Sequence, residues 1–473
     1  MKIDIPLGVR VYNRKETEEI EYILKKIRKI FERWGYERII LPTFEYYDVH
    51  KRGLSKNLRE KTFKPIDRTT GDILALRSDF TAQVARYYAS LKEKDKPKRY
   101  YYLGRIFRYY SPKSNKLWEN FQLGLELIGV PRLEAEAEII SIAVMSLREL
   151  NIKNYQIDIN NIKIYKVLKE ILALSEEEYL IFMDIIKQRK KFLFYTDVNQ
   201  YINDIIPSCK PDKTQISENL KSLQKKINDN VDIKSFIDTI LENQFDIESL
   251  KELINSVKDY SGLMSALNEL IDIYSILEEY EVNENIIFDL GEPREFSYYT
   301  GIVFEIFIQD FEKQIGQGGR YDNLMEKYDG SIPAVGFAFN ILNIWEYLSS
   351  KNLLNIPSKR DFYIIDTSNN KRRAYKIAKK LREKGYNVAR DILDRDYRKS
   401  LEFAIKEGYK NVILIFEDNE KEICLCKRVD VKNLNNFEEC KELSCNEIDC
   451  EEIACKKFDI KTFLESIKIK EER

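Results

Sequence analysis

Four short segments carry side chains that could hold a small polar molecule. The first, Leu76-Arg77-Ser78-Asp79-Phe80-Thr81, ends a strand-like run with a carboxylate and a hydroxyl; the second is a strand pair, to which Phe107-Arg108 brings a guanidinium. Gln122, Gly124 and Glu126 alternate with Phe121, Leu123, Leu125 and Leu127, so on a strand the amide and carboxylate share one face and the apolar groups the other. The third segment is Arg294-Glu295-Phe296-Ser297-Tyr298-Tyr299-Thr300-Gly301, and the fourth Gly318-Gly319-Arg320-Tyr321-Asp322. Together these groups suit a free amino acid: an arginine for its α-carboxylate, acids and an amide for its α-ammonium, a tyrosine hydroxyl and a carboxylate for a polar side chain. A polar sheet face with a purely structural role would use the same residue types, and spacing alone leaves both readings open.

Other chemistries are closed off. His50 is the chain's one histidine, in the motif-free stretch Tyr47-Asp48-Val49-His50-Lys51-Arg52, so it reads as an ordinary surface or core residue, and triads or His-rich metal sites are excluded unless His50 itself takes part. Lys and Arg number 78 against 79 Asp and Glu, a net charge of −1, which argues against a protein that mainly coats phosphate backbones. Gly316-Gln317-Gly318-Gly319-Arg320 lacks the spacing of either phosphate-binding glycine loop and reads as a tight turn. Cys440, Cys445, Cys450 and Cys455 recur every five residues, a step that turns ~140° on a helix and changes face on a strand. No regular element gathers them, so no metal site is expected. Cys424 and Cys426 read as packing residues, and reduced thiols are expected throughout. No apolar run suits a signal peptide or a membrane span, so a soluble, cytoplasmic protein is expected.

The elements that must position the candidate site follow from hydrophobic periodicity. Residues 16–34 form an amphipathic helix, 38–42 and 72–77 strands, 81–91 a helix, 100–108 and 120–127 a strand pair, and 134–150 a helix. Residues 165–280 read as a mostly helical insertion with a single break at 207–211. Strands return at 286–290 and 299–307, and a helix over 338–349 closes the domain. The result is an α+β domain over 1–350: an antiparallel sheet flanked by helices. After a linker at 351–360, residues 361–473 alternate strand and helix as a small α/β domain with a largely parallel sheet.

With these motifs in place, the chain resembles the class II histidyl-tRNA synthetase superfamily from about Pro6 onward. The family's Arg-Gly-Leu-Asp-Tyr-Tyr-Thr-Gly signature is matched by residues 294–301, and its Gly-Gly-Arg-Tyr-Asp signature is intact at 318–322. The resemblance implies a class II aminoacyl-tRNA synthetase-like sheet domain, and a C-terminal α/β domain like those that bind anticodons.

Several departures separate the chain from an active synthetase. Phe107-Arg108-Tyr109-Tyr110 lacks the glutamate of the ATP-binding Phe-Arg-x-Glu element, Trp118 stands where the following loop has an arginine, and Asn343 replaces the arginine of the last motif. Glu295 stands where the first signature has glycine. This pattern is similar to the regulatory-subunit branch, paralogues that work with a short ATP phosphoribosyltransferase catalytic subunit at the first step of histidine biosynthesis. Supporting wording includes Asn154 to Ile159, Ile286 to Gly291 and Gly336-Phe337-Ala338-Phe339-Asn340. Carried over residue by residue, the resemblance gives Asp79 and Thr81, with Gln122 beside them, to the ammonium of free histidine. Arg294 receives its carboxylate, and Glu126 with Tyr299 its imidazole. Arg108 and Tyr298 join this set without a fixed role, and Gly318, Gly319, Arg320 and Tyr321 support it. No catalytic residue, cofactor or metal is implied, and tRNA binding is not expected. A homodimer within a hetero-oligomer is. The alternatives are a divergent histidyl-tRNA synthetase and a stand-alone histidine-binding regulatory module.

Overall fold

The computed structural model describes residues 4–92, 97–111, 114, 116–187, 213–292, 298–328, 330–354, 356, 358–368, 371–393, 396–416, 422–427 and 455–470. The chain divides into two compact units, Met1–Leu354 and Asn355–Arg473. Among the described residues no helix is long and apolar enough to cross a membrane.

The first unit is built on strands β1 (Glu37–Arg38), β4 (Lys98–Phe107), β5 (Glu119–Ile128), β6 (Tyr155–Asn161), β7 (Ile286–Phe288), β8 (Ile302–Ile308), β9 (Phe311–Arg320) and β10 (Ala334–Asn340). They form one eight-stranded sheet in the order β1-β4-β5-β10-β9-β8-β6-β7. The interior pairs are antiparallel, and the edge pairs β1/β4 and β6/β7 are parallel. A small separate sheet pairs β2 (Phe44–Tyr46) with β3 (Leu74–Leu76).

One face of the large sheet is covered by the helix Arg14–Arg33, whose Ile20, Ile23, Leu24, Ile27, Ile30 and Phe31 are buried at the foreseen helical spacing. It starts at a capping box of Asn13 and Glu16. Phe31 meets Tyr101 and Phe337 edge-on at 5.9 and 5.8 Å. The helices Glu134–Glu149 and Ile341–Ser350 join this core together with Leu123, Leu125 and Leu127. The opposite face, carrying Gln122, Gly124 and Glu126, is roofed by the helix Thr81–Ala89 and the short helix Asp322–Glu326, around Phe80, Tyr102, Tyr298 and Tyr321.

The structure changes several sequence expectations. Residues 39–42 are not strand: β1 stops at Arg38. The glycine run 316–320 is not a turn but the end of β9, where the hydrogen-bonded neighbours β8 and β10 lie so close that only glycine fits. A Cβ at Gly318 would lie 2.4 Å from that of Phe337 and 2.5 Å from the Gly336 carbonyl. The last helix begins at Ile341 rather than 338, because Asn340 caps it by accepting from the Asn343 N–H at 3.2 Å. The helical insertion is present, but among the described residues it breaks more often than foreseen. Asn230 and Asp246 each cap a new helix, and the break expected at 207–211 lies outside the described residues.

In the second unit, β11 (Phe362–Asp366), β12 (Val388–Arg390) and β13 (Asn411–Ile415) are parallel, and β14 (Glu422–Lys427) and β15 (Cys455–Asp459) add on antiparallel. The helices Arg372–Glu383 and Tyr397–Lys406 lie where the alternation put them, each followed by a positive-φ glycine, Gly385 and Gly408. Cys424 is buried and packed beside Cys426, but Cys426 is disulfide-bonded, which corrects the expectation of reduced thiols there. The register that sets Cys426 opposite Cys455 across β14 and β15 could not be read from spacing. Cys440, Cys445 and Cys450 lie outside the described residues.

Candidate functional site

The site lies where the central strands meet the start of the Thr81 helix. A narrow cavity with an open mouth is lined by Asp79, Thr81, Arg108, Gln122, Tyr298, Tyr299 and Tyr321 from the sequence-derived set. Gln317, Gly336, Phe337 and Ala338, from β9 and β10, complete it. These four had no sequence signal as lining. The ladders that set Gly336 beside Glu126 and Ala338 beside Gln317 bring them in. Arg294 and Glu295 lie outside the described residues.

Glu126 sits beneath the floor rather than in the lining. Its Oε1 accepts from Thr81 Oγ1 at 2.9 Å and from the Tyr102 hydroxyl at 3.2 Å, and its Oε2 from the Tyr321 hydroxyl at 2.7 Å. Two of these donors, Thr81 and Tyr321, line the cavity, so the buried acid orients hydroxyls that a ligand would meet. Burial pushes its carboxyl up to about 8, and the three hydroxyl donors only partly oppose that.

Asp79, also buried, accepts from the Thr81 N–H at 3.2 Å and from the Tyr298 hydroxyl at 3.3 Å. Burial raises its pKa, with Arg108 the main opposing influence. Arg108 is fixed by Nε donating to the Ser78 carbonyl at 2.9 Å. Gln122 brings a buried Oε1 that lacks a hydrogen-bond partner, an acceptor left for a ligand N–H. A pocket lined by the buried Asp79 carboxyl and the unpartnered Gln122 oxygen, with Arg108 as the cation among its described lining residues, favours an N–H-rich guest.

The Gly-Gly-Arg-Tyr-Asp motif acts as a brace. Arg320 does not reach the cavity. It forms a fork on Glu136, with Nε and Nη2 each 2.6 Å from a carboxylate oxygen, and its Nη1 and Nη2 also donate to the Val130 and Arg132 carbonyls. Asp322 accepts from the Ala334 N–H at 2.8 Å.

The positions where synthetase motifs differ are filled by other means. Trp118 packs against Phe63 and Tyr109 at 5.6 and 5.4 Å, its indole N–H donates to the Tyr110 carbonyl at 2.8 Å, and its ring lies so close to Gly8 that a Cβ there would sit at 2.7 Å. Asn343 turns its amide to the Gln314 carbonyl at 2.7 Å.

A profile of the histidyl-tRNA synthetase family matches residues 8–344. The chain belongs to that family. It is 32% identical, over 88% of its length and 89% of the relative's, to an ATP phosphoribosyltransferase regulatory subunit of Geobacter metallireducens. It is also 31% identical to a histidine–tRNA ligase of Methanocaldococcus jannaschii, over 92% of this chain and 96% of the ligase. A solved structure described as an ATP phosphoribosyltransferase regulatory subunit/histidyl-tRNA synthetase from Bacillus halodurans C superposes with a TM-score of 0.69 at 25% identity, covering 88% of this chain and 98% of the other. The resemblance read from the motifs, to synthetase-like regulatory subunits with a class II α+β fold, is borne out.

The raised Glu126 carboxyl has a measurable consequence for this family member. Between the unfolded value near 4.5 and about 8 the folded chain holds a proton that the unfolded chain has lost, so stability falls as pH rises through that window. His50 works in the opposite sense below 6.5, since burial and the charges of Arg77 and Arg86 press its pKa to about 4. Glu126→Gln is therefore expected to flatten the decline in unfolding free energy between pH 6.5 and 8. Urea titrations of both proteins across that range check it, and parallel curves would dismiss the buried-acid account.

Proposed function

We propose that the chain is the non-catalytic regulatory subunit of a short-form ATP phosphoribosyltransferase, and that the cavity takes free histidine, whose binding biases the complex between states. The observation that carries this is the contrast between the two sides of the site. The acidic side is intact, with Asp79 and Glu126 buried and hydrogen-bonded, while Trp118 and Asn343 fill, with an indole and an amide, positions where the motifs of a synthetase carry arginines for ATP. Positioned cations are the main device for stabilising phosphoryl chemistry, so losing them removes adenylation before it removes amino-acid binding.

Asp79, with the Tyr298 hydroxyl, takes the ammonium of histidine, and the free Gln122 oxygen accepts a further N–H. The motif gives Arg294 the carboxylate. Tyr299 takes the imidazole, and Glu126 acts on it through the Thr81 and Tyr321 hydroxyls. Feedback requires only that histidine bind one state of the complex better, and about 1–3 kcal/mol of coupling gives roughly 5- to 150-fold effects.

The homodimer is supported by β2, which is turned inside out. Phe44 and Tyr46 face outward and exposed, while Glu45 points inward to Gln83 and Arg86. Exposed Ile66 and Ile73, bridged to each other at the start of β3, extend this into an apolar face of the kind that a second copy covers.

Mixing the purified chain with a short catalytic subunit tests the proposal. Phosphoribosyl transfer to ATP should appear only in the mixture and be suppressed by histidine, and sedimentation of the mixture should show a hetero-oligomer built on dimers of this chain. Histidine-dependent ATP–pyrophosphate exchange by the chain alone would replace this reading with a synthetase. Histidine binding without any effect on the catalytic subunit would replace it with a stand-alone module.

A further inference from the structure

The chain's one histidine is placed where it can control the pocket without entering it. His50 ends the short helix Tyr47–His50 and is 2% exposed. Its Nε2 lies 3.4 Å from the Ser78 backbone nitrogen and 3.3 Å from Ser78 Oγ. Ser78 immediately precedes Asp79, the buried carboxylate of the cavity. Thr62 closes the group: its Oγ1 is 3.1 Å from Ser78 Oγ and donates to the Leu58 carbonyl at 2.6 Å. The Ser78 carbonyl accepts from Arg108 Nε at 2.9 Å, so all three polar groups of Ser78 are held at once.

We propose that His50 is a positioning residue for the ligand pocket: its Nε2 accepts from the Ser78 backbone and thereby fixes the carboxylate of Asp79 one residue on. The proposal rests on the reading of the cavity as an amino-acid site.

The proton arrangement follows from counting donors. A backbone N–H can only donate, so Nε2 must carry its lone pair there, and the ring proton resides on Nδ1. Thr62 has one hydroxyl proton and directs it to Leu58, which leaves the Ser78 hydroxyl proton for Thr62 Oγ1 or the ring. Burial of the ring, and then the charged groups around it, favour its neutral form. Arg77, held by the Leu41, Pro42 and Arg105 carbonyls, and Arg86, paired with Glu45, both disfavour a second proton on His50. The ring is thus kept as an acceptor by its burial first, and then by two cations that do not themselves bind Ser78. A residue serving only to fill space would need neither the acceptor nor its orientation.

Because His50 is the only histidine, protein labelled with ¹⁵N-histidine gives a single imidazole spin system, and unlabelled histidine can be added as ligand without interference. The full-length chain should show an unprotonated Nε2 and a protonated Nδ1 at neutral pH. Histidine addition should move the Nε2 resonance, and so should Asp79→Asn without any ligand. In calorimetric titrations His50→Leu, which keeps the bulk and loses the acceptor, should weaken histidine binding about tenfold, the cost of one buried group left unpaired. His50→Gln, which restores an acceptor, should recover most of that loss, and it still reports if the leucine variant does not fold. Equal affinities for wild type and both variants, or an Nε2 resonance indifferent to both histidine and Asp79→Asn, overturns the inference. A resonance that responds to Asp79→Asn in a wild-type chain that binds no histidine overturns the reading of the pocket instead, while upholding the coupling of His50 to Asp79.

Discussion

Glu136→Ala is expected to lower the unfolding free energy of the first unit by about 3–5 kcal/mol, the usual cost of leaving one partner of a buried ion pair uncompensated. Glu136 is almost wholly buried, and both its oxygens receive the Arg320 fork. Burial works against the Arg320 charge, and Glu136 more than offsets it, so the guanidinium is held above its ordinary pKa. The pair ties the end of β9 to the first turn of the helix Glu134–Glu149, and Arg320 also gathers the carbonyls of residues 130 and 132 in the loop between β5 and that helix. Without Glu136 the guanidinium stays buried beside Asp322, a partner at 3.4 Å that is already accepting from Ala334. Urea unfolding reads the loss directly. The double variant Glu136→Leu/Arg320→Met removes both charges and should be clearly less destabilised than Glu136→Ala, since no charge is left stranded. A loss below about 1 kcal/mol for the single variant would mean the pair is an ordinary surface contact.

How much of this was legible beforehand divides along a physical line. Alternation along β5 is a local property, so the shared face of Gln122, Gly124 and Glu126 could be read directly, as could the helical stripe from Ile20 to Phe31. What the sequence concealed depends on register between strands far apart in the chain. Gly316 to Gly319 resembles a turn in isolation, and only its placement between β8 and β10 shows that the glycines are there because neighbouring backbone and side chains leave no room. Glu136, the partner that gives Arg320 its role, is 184 residues away from it in sequence. Arg77 stood in a site-like segment, yet its guanidinium stacks over Phe80 at 3.9 Å and binds backbone carbonyls, supporting the site from behind. Phe80 in turn stacks on Tyr102 at 4.3 Å, and Tyr102 donates to Glu126, a chain of contacts that spacing alone does not encode. Element ends shifted for a similar reason: Asn13, Asn230, Asp246 and Asn340 are capping side chains, and a stripe of apolar residues locates a helix better than it locates the first residue.

Gly336→Ala should act on the pocket through the most confined point in it. A Cβ at this position would lie 1.7 Å from Glu126 Oε2 and 2.6 Å from the Leu125 carbonyl, so the carboxylate must leave its place because the backbone on the other side cannot. Moving Glu126 detaches Tyr321 from Oε2 and disturbs Thr81 and Tyr102 at Oε1. Overpacking of this kind costs about 1–3 kcal/mol, and the freed hydroxyls of Thr81 and Tyr321 belong to the cavity lining. Loss of two oriented hydrogen bonds at about 1–1.5 kcal/mol each corresponds to histidine affinity falling about 100-fold. Calorimetry of the variant beside wild type measures the affinity, and urea unfolding the stability. Truncating the acid as well separates the clash from any general effect of the extra methyl. Gly336→Ala/Glu126→Ala should be more stable than the sum of the two single changes by about 1 kcal/mol or more, because the added Cβ then meets only the Leu125 carbonyl and no longer a carboxylate as well. Strict additivity would place the strain elsewhere in the β5–β10 ladder, and undiminished histidine affinity in the single variant would show that Glu126 and its hydroxyl partners do not shape the site.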